Sequence, residues 1–211
     1  MRFRSLIISA FLFSLVATLA LPLAAADEPG FKPLFDGKTL NGWEGDPRLW
    51  KVENGEIVGS TDNVKIEKNT FLIYKDKEFS DFILRAEVKL RNHNSGIQFR
   101  SEALPEFVVR GYQADMAEGN WWGGVYEEKG TRGVMVNGWK DKAEKVVRAN
   151  DWNEVEIRCE GPRIQIRING LLTSELTDDV KLSGIIAFQL HTGPGMEARF
   201  RNVRIQTLGA K

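Results

Sequence analysis

Apolar and polar residues alternate with a period of two along most of this chain, which is the pattern of strands that bury one face. From Phe82 to Leu90 every second residue is apolar, and most of the residues between them are charged. The same alternation runs from Arg163 to Ile168. It recurs from Gly184 to His191, where amide and imidazole side chains share the second face. Each segment predicts a strand with one face against a core.

Turn signals separate these runs, and helical signals are nearly absent. The pairs that favour tight turns are Asn54-Gly55, Asn137-Gly138, Gly161-Pro162 and Asn169-Gly170. The only predicted helix is a single turn around residues 178–181. Many short strands without an internal repeat or a linker predict one all-β domain, either an antiparallel β-sandwich or a barrel.

The N-terminus departs from this pattern. Two arginines precede an apolar run that ends near Leu23, and three alanines lead into the polar Asp27. This order is that of a secretory signal peptide, although an uncleaved membrane anchor has nearly the same length. We expect a signal peptide at residues 1–26 and one mature domain at residues 27–211. Export to the periplasm or the extracellular space follows, with no stable membrane contact after cleavage.

Composition narrows the classes of function. The chain has 29 basic and 29 acidic residues, so we expect no nucleic-acid partner, which would need a concentrated basic face. The single cysteine, Cys159, excludes an internal disulfide and lies on the apolar side of a predicted strand, where a small buried side chain fits. Two histidines and one cysteine offer no zinc cluster, and no phosphate-binding glycine motif is present. We therefore expect neither a metal nor a cofactor.

Three predicted strands carry planar polar side chains opposite an apolar face. An ordinary solvated face would carry mostly Lys, Glu and Thr. The planar groups suit bidentate recognition of sugar hydroxyls. They are Gln98, Arg100 and Glu102 on the first strand, Gln113 and Asp115 on the second, and Gln189 and His191 on the third. His191 has a plainer interpretation as a hydrogen-bond donor that anchors a loop.

A glycine-rich segment adds an aromatic pair, Trp121-Trp122. Neighbouring residues of a strand point to opposite faces, so both rings cannot enter one core. We expect one of them to stack on a sugar ring. The next segment brings Glu127, Glu128 and Arg132, which form either an ordinary charged hairpin tip or part of a site.

Six segments, taken in order, resemble one family. They are Phe31–Trp43, Trp50–Ile57, Asn94–Arg100, Gly111–Asp115, Gly184–His191 and Phe200–Ile205. The ordered set is similar to the 3-keto-disaccharide hydrolase domain family, from about residue 31 to residue 208. The resemblance implies a concanavalin A-like jelly roll of two antiparallel sheets that binds sugar on its concave face. It also implies secretion and sugar catabolism.

Two mechanisms are open at this point. In the first, two carboxylates flank the glycosidic bond, chosen from Asp115, Glu127 and Glu128, with Glu102 as a fourth candidate. In the second, which the resemblance favours, a ketone at C3 acidifies the C2 proton of the sugar. A base, His191 or a carboxylate, removes that proton, and the leaving group departs from C1. An arginine, Arg100 or Arg132, would then hold the enolate oxygen.

The sequence thus predicts an exported enzyme that cleaves a glycosidic bond in a 3-keto-glycoside. The catalytic candidates are Asp115, Glu127, Glu128 and His191. The substrate-binding candidates are Gln98, Arg100, Glu102, Gln113, Trp121, Trp122, Arg132 and Gln189. The main alternative is a non-catalytic carbohydrate-binding module on the same sandwich, and a structural envelope protein is a third.

Overall fold

The computed structural model describes residues 28–209, which form two antiparallel sheets packed face to face. The predicted signal peptide lies outside the described residues. Within residues 28–209 no helix is long and apolar enough to cross a membrane. The all-β fold predicted from the period-two pattern is confirmed, and it is the antiparallel sandwich that the family resemblance implies rather than a barrel.

Fifteen strands follow one another along the described chain, with one short 3₁₀ helix (Ala143–Lys145) between β10 and β11. The strands are β1 (Lys32–Pro33), β2 (Trp43–Glu44), β3 (Trp50–Glu53), β4 (Glu56–Ser60), β5 (Thr70–Tyr74), β6 (Phe82–Leu90), β7 (Asn94–Leu104), β8 (Val108–Ala117), β9 (Gly124–Glu128), β10 (Gly133–Val136), β11 (Asn153–Glu160), β12 (Arg163–Ile168), β13 (Leu171–Thr177), β14 (Ile185–Leu190) and β15 (Glu197–Thr207).

The first sheet has the strand order β13-β12-β11-β6-β15-β4-β3, and β1 pairs with β15 beside this path. The second sheet has the order β10-β9-β8-β7-β14-β5-β2. Strands distant in the chain meet at the middle of each sheet, since β15 pairs with β6 and β14 pairs with β7. These long-range pairings close the sandwich and bring β7, β8, β9 and β14 side by side.

Aromatic stacking joins the inner faces of the two sheets. Phe188 on β14 stacks on Phe200 on β15 with ring centroids 4.0 Å apart, and Trp43 stacks on the other side of Phe188 at 4.8 Å. Cys159 is buried in this core, as predicted, and the burial raises the pKa of its thiol to about 12. A thiol with that pKa stays protonated and unreactive near neutral pH.

The outer faces of the two sheets differ in character. The first sheet presents partly exposed ion pairs to solvent, such as Arg85 with Glu156 and Arg201 with Glu87. In the second sheet, β14 is buried on both faces and carries Gln189 on the outer one. A second, smaller apolar cluster that includes Phe71 and Ala187 covers part of this outer face. The buried amides beside it need hydrogen-bond partners, so this face is where a polar site is expected.

Local structure confirms one predicted turn and overturns the predicted helix. Asn169 and Gly170 have φ angles of 48° and 83°, as a type I′ hairpin turn requires. The segment 178–181 is not helical. There the Asp178 carboxylate accepts hydrogen bonds from the backbone N–H of Val180, at 3.2 Å, and from the Tyr112 hydroxyl. A side chain that bonds to a nearby backbone group in this way competes with helix formation.

Candidate functional site

A solvent-open cavity of about 250 Å³ lies on the outer face of the second sheet. Strands β8, β9 and β14 supply most of its walls, and the β8–β9 loop closes one side. Six of the residues predicted from the sequence line it, namely Gln113, Asp115, Trp121, Glu128, Gln189 and His191. Four further lining residues were not predicted, namely Asn69, Asn94, Tyr126 and Val134.

Strand register explains why these side chains converge. Gln113 on β8 lies opposite Gln98 on β7 and opposite Tyr126 on β9. Residues directly opposite on antiparallel strands project from the same face. Asp115, two residues further along β8, lies between Gly96 and Gly124 on the neighbouring strands. The carboxylate therefore has no side chain beside it on either adjacent strand.

Gly96 is a steric requirement of this arrangement. An added Cβ at this position would lie 2.3 Å from the carboxamide carbon of Gln113. The Gln113 side chain thus crosses β7 where Gly96 leaves a gap, and a larger residue would displace it.

Buried amides beneath the cavity form a directional hydrogen-bond chain. The Ser101 hydroxyl donates to Gln98 Oε1 at 2.7 Å, and Gln98 Nε2 donates to Gln113 Oε1 at 2.8 Å. Gln113 Nε2 then donates to Asp115 Oδ1 at 3.0 Å and approaches Gln189 Oε1 at 3.3 Å. Each amide oxygen is occupied by the previous donor, so each N–H points toward the next acceptor and finally toward a carboxylate.

The same chain continues to the second acid. Gln189 Nε2 donates to Glu128 Oε2 at 3.1 Å, and Asn69 Nδ2 donates to Glu128 Oε1 at 3.3 Å. Asn69 is held in turn by the backbone N–H of Thr192, which donates to Asn69 Oδ1 at 3.0 Å. Glu128 on β9 is therefore oriented by Gln189 on β14 and by Asn69 in the loop before β5, both distant from it in the sequence.

Both cavity carboxyls are less acidic than usual. Burial raises the pKa of Asp115 to about 6, the hydrogen bonds from Gln113 and the Met116 backbone oppose this, and the nearby Glu128 charge adds to it. Burial also raises the pKa of Glu128, against hydrogen bonds from Asn69 and Gln189 and the charge of His191. Two carboxyls with raised pKa in one cavity are typical of sites that transfer protons near neutral pH.

His191 lies at the rim with a defined tautomer. Its Nδ1 lies 2.7 Å from the carbonyl oxygen of Thr192, and Nε2 of His93 lies 2.9 Å from the same oxygen. A carbonyl oxygen only accepts hydrogen bonds, so His191 Nδ1 and His93 Nε2 each donate one to it. A neutral His191 then has no proton on Nε2. The two imidazoles pack edge to face at 5.1 Å, so His93 supports His191.

A β-bulge overturns the placement predicted for Arg100 and Glu102. The β7–β8 register shifts between Phe99 and Glu102, and Arg100 has a φ of 46°. The extra residue reverses the alternation, so Glu102 lies opposite Arg110 and forms an ion pair with it at 2.9 Å. Glu102 consequently does not share a face with Gln98.

Arg100 is fully buried away from the cavity. Its guanidinium donates to the carbonyl oxygens of Ser80 and Gly161, at 2.8 and 2.7 Å, and to Asp81 at 3.0 Å. These bonds join the ends of β6 and β11 to the bulge. Arg100 is thus in the wrong place to hold an enolate in the cavity.

Glu127 and Arg132 also lie outside the cavity. Successive strand residues face opposite ways, so Glu127 points away from Glu128 and lies opposite Tyr112. Arg132 Nε donates to Glu127 Oε1 at 2.9 Å, and this pairing lowers the pKa of Glu127. Arg132 also pairs with Asp178. The geometry contradicts a proton-transfer role for Glu127 in this cavity and an enolate-binding role for Arg132.

The two neighbouring tryptophans of the β8–β9 loop are divided between the candidate cavity and the core. Trp121 is 37% exposed and lines the cavity, whereas Trp122 is buried in the core and lines a different cavity. Gln98 is also fully buried. It lies beneath the cavity, where it bonds to Gln113, and it does not line the cavity wall as a substrate-binding residue would.

Of the four unpredicted lining residues, Tyr126 could have been identified from the sequence and Asn69 could not. Tyr126 has the same parity as Glu128 on β9, so alternation alone could have identified it. Asn69 precedes β5 in a charged loop, and only the pairing of β5 with β14 brings it to Glu128. Among residues 28–209, no group of three or more His, Cys, Asp or Glu is arranged to hold a metal ion.

Solved structures with the same fold include proteins of carbohydrate metabolism. A candidate glycosyl hydrolase from Parabacteroides distasonis has a TM-score of 0.63 and 22% identity, over 84% of this chain and 99% of that chain. The carbohydrate-binding module CBM66 from Bacillus subtilis has a TM-score of 0.58 and 18% identity, over 79% of this chain and 96% of that chain. A Bacillus licheniformis β-glucanase has a TM-score of 0.55 and 12% identity, over 85% and 97%.

These identities establish the fold alone, a jelly roll found in both glycosyl hydrolases and carbohydrate-binding modules. None of the curated proteins matches this chain. A family model described as a 3-keto-alpha-glucoside-1,2-lyase-like domain matches residues 30–206. This match covers nearly all of the predicted mature domain and agrees with the resemblance of the six sequence segments. The chain therefore belongs to the family of 3-keto-alpha-glucoside-1,2-lyase-like domains.

Proposed function

We propose that this protein cleaves the glycosidic bond of a 3-keto-glycoside by elimination followed by hydration. The observation that carries the proposal is the pair Asp115 and Glu128, two buried carboxyls with raised pKa in one cavity beside an exposed indole. Family membership supports the 3-keto substrate class.

The reaction balances with one base and one acid. The base removes the proton from C2, which the C3 ketone acidifies, and an enolate forms. The enolate electrons restore the C3 carbonyl and form a C1–C2 double bond as the C1–O bond breaks, and the acid protonates the departing oxygen. Water then adds its hydroxyl to C1 and a proton to C2, which returns the base and the acid to their starting states.

Asp115 is the base in this scheme. With a pKa of about 6, it is mostly ionised at neutral pH and is a stronger base than an ordinary aspartate. Gln113 holds one of its oxygens, which directs the carboxylate. Under the proposal, kcat/KM rises as pH increases through about 6, since the ionised form of Asp115 is the active one.

Glu128 is the proposed acid, since burial favours its protonated form. The Tyr126 hydroxyl and the Asn94 amide line the same cavity and supply neutral donors for the enolate oxygen. These neutral groups replace the arginines expected from the sequence. Trp121 offers its face to the apolar side of the sugar ring.

The test is a turnover assay on residues 27–211 with a plain disaccharide and its 3-keto form. Cleavage of the 3-keto form alone, lost in Asp115→Asn and strongly reduced in Glu128→Gln, supports the proposal. Glu102→Gln is the matched control, since Glu102 is an exposed carboxylate outside the cavity. In D₂O, elimination and hydration place deuterium at C2 of the product, whereas direct hydrolysis by a carboxylate pair leaves C2 unlabelled at early times.

The main alternative is a non-catalytic carbohydrate-binding module. CBM66 is a carbohydrate-binding module with the same fold, which supports this alternative. Sugar binding without turnover of either substrate would sink the enzyme proposal and support the module.

We also propose export, based on the basic, apolar and small-residue order of the first 26 residues. Fractionation of cells that produce the full chain tests it. Recovery of a protein with Asp27 at its N-terminus outside the cytoplasm is the expected result. Retention of the intact chain in the membrane or cytoplasm would refute cleavage.

A further inference from the structure

A second cavity, of about 210 Å³, lies where the end of β6 in the first sheet approaches the β8–β9 loop of the second. Its wall is apolar and includes two indoles, and its rim carries planar polar groups. The wall residues are Leu90, Trp122, Trp139 and Val147, and the rim includes Asn92, Glu118 and Arg148. Nothing in the proposed reaction uses these residues.

One short seam separates this second cavity from the candidate site. Along the seam, the backbone N–H of Glu118 donates to the carbonyl of His93 at 2.7 Å. Asn94 and Trp121 line the candidate site, while Asn92 and Trp122, on the same two segments, line the second cavity. Asn92 and Asn94 are two residues apart, at most about 7 Å along the chain. Two linked rings are long enough to span that distance.

The chemistry of the second cavity fits a neutral ring with an apolar face and a polar edge. Indole rings pack against apolar faces, and a few polar groups at the rim of a pocket orient the ligand. The rim has one carboxylate, Glu118, and two guanidiniums, Arg91 and Arg148. Arg91 is already paired with Asp62 at 2.6 Å, so the remaining charges disfavour a ligand of either net charge. Cavities of about 150 Å³ hold one benzene-sized ring, so the volume suits a single six-membered ring.

Resting on the proposed function, we infer that the second cavity binds the ring of the leaving group while the candidate site holds the ring that reacts. The family resemblance already implies a substrate of two linked rings, and this inference adds the place where the second ring binds. The second ring is a neutral sugar or an aromatic aglycone, which share the apolar face and polar edge that the cavity recognises.

The experiment blocks the second cavity and varies the leaving group. Ala149 lines the exposed rim, so Ala149→Trp fills the cavity without removing a core side chain. Leu171→Trp, at an exposed position of β13 outside the cavity, is the matched control. Three 3-keto-glucosides with methanol, phenol and glucose as leaving groups are compared by kcat/KM in wild type and both variants.

We expect Ala149→Trp to lower kcat/KM about tenfold for a two-ring substrate, through KM, and to change the methyl glycoside by no more than about twofold. Comparing variants on one substrate cancels the intrinsic reactivity of each leaving group. A loss confined to the glucosyl substrate identifies a sugar ring, and a loss confined to the phenyl substrate identifies an aromatic one. An equal loss on all three, or no loss, overturns the inference.

Failure of the proposed function gives a different result, since no substrate is then turned over. Calorimetric binding of a plain disaccharide and of a methyl glucoside still tests the second cavity in that case. Tighter binding of the disaccharide, lost in Ala149→Trp and kept in Leu171→Trp, supports the cavity as the site of the second ring. Equal affinity for both sugars overturns it.

Discussion

At the scale of single residues, the candidate site depends on how one carboxyl is buried. Asp115 is 8% exposed, and the only side-chain donor to it in the described structure is Gln113. This bond and the one from the Met116 backbone do not replace the solvation that a carboxylate loses on burial. The pKa of about 6 is the result, and it means that the site is maintained at a cost in stability.

Replacing Asp115 with Asn should stabilise the folded protein near neutral pH. The folded state holds the Asp115 proton more tightly than the unfolded chain does, so the contribution of this group to stability falls as pH rises from about 4 to about 6. The difference between the ordinary aspartate pKa of 3.8 and about 6 corresponds to about 3 kcal/mol. Asn keeps the acceptor for Gln113.

Urea unfolding of wild type and Asp115→Asn at about pH 7 and about pH 3.5 measures this difference in the free energy of unfolding. The variant should be more stable at the higher pH, and the two proteins should converge at the lower one. A variant that is less stable near pH 7 would show that burial does not destabilise the ionised carboxylate.

At the scale of elements, β7 and β8 place the site through register and through one bulge. Before the bulge, Gln98 and Gln113 lie opposite each other on the cavity face, and after it the alternation is reversed. The bulge turns Arg100 toward Asp81 and leaves the cavity without an arginine. One extra residue in a strand therefore decides whether the cavity contains an arginine or only neutral donors beside its two acids.

Gly96→Ala should displace Gln113 and disorganise the site. The added methyl would lie 2.3 Å from the Gln113 carboxamide, so the side chain must move away from Asp115. We expect a loss of about 1–3 kcal/mol in the free energy of unfolding from the forced overlap. Because Asp115 loses a hydrogen bond that favours its ionised form, the pH midpoint of activity should also move upward.

A pH profile of kcat/KM and a urea titration measure both effects. Gly209→Ala is the control, since an added Cβ there meets nothing within 4 Å. An unchanged pH midpoint in Gly96→Ala would mean that Gln113 does not control the protonation of Asp115.

At the scale of the whole molecule, stability and chemistry occupy opposite faces of the same strand. On β14, Phe188 stacks between Trp43 and Phe200 in the core, while the next residue, Gln189, bonds to Glu128. Inner-face residues hold the two sheets together, and outer-face residues form the cavity. A change on one face should therefore affect stability or chemistry separately.

Phe188→Ala should lower the free energy of unfolding by about 3–5 kcal/mol, since it opens a cavity between the sheets. The fraction that remains folded should keep its affinity for sugar. Chemical unfolding and calorimetric binding test the two parts, with Val180→Ala, at a position 72% exposed, as the control. A large loss of affinity in folded Phe188→Ala would show that the two faces are coupled.

Much of this organisation follows from local pattern. Period-two alternation and turn pairs determined that the protein is all-β, because each strand shows in its own residues which face it buries. The choice of a sandwich over a barrel came from the family resemblance. Alternation also identified Gln113, Asp115, Gln189 and His191 as cavity-facing. The Trp121-Trp122 pair is divided between cavity and core as expected, although both residues lie in the β8–β9 loop and not on a strand.

Only the tertiary structure decided which acids share the cavity. Glu127 and Glu128 are neighbouring residues with the same side chain, so their chemistry does not distinguish them. The pairing of β9 with β8 turns Glu128 outward to Asn69 and Glu127 toward Arg132. The bulge at Arg100 and the approach of Asn69 depend on long-range pairing. Local periodicity predicts neither the bulge nor the approach of Asn69. Residues distant in the chain set the strand register and the burial of each carboxyl, and the burial sets its pKa.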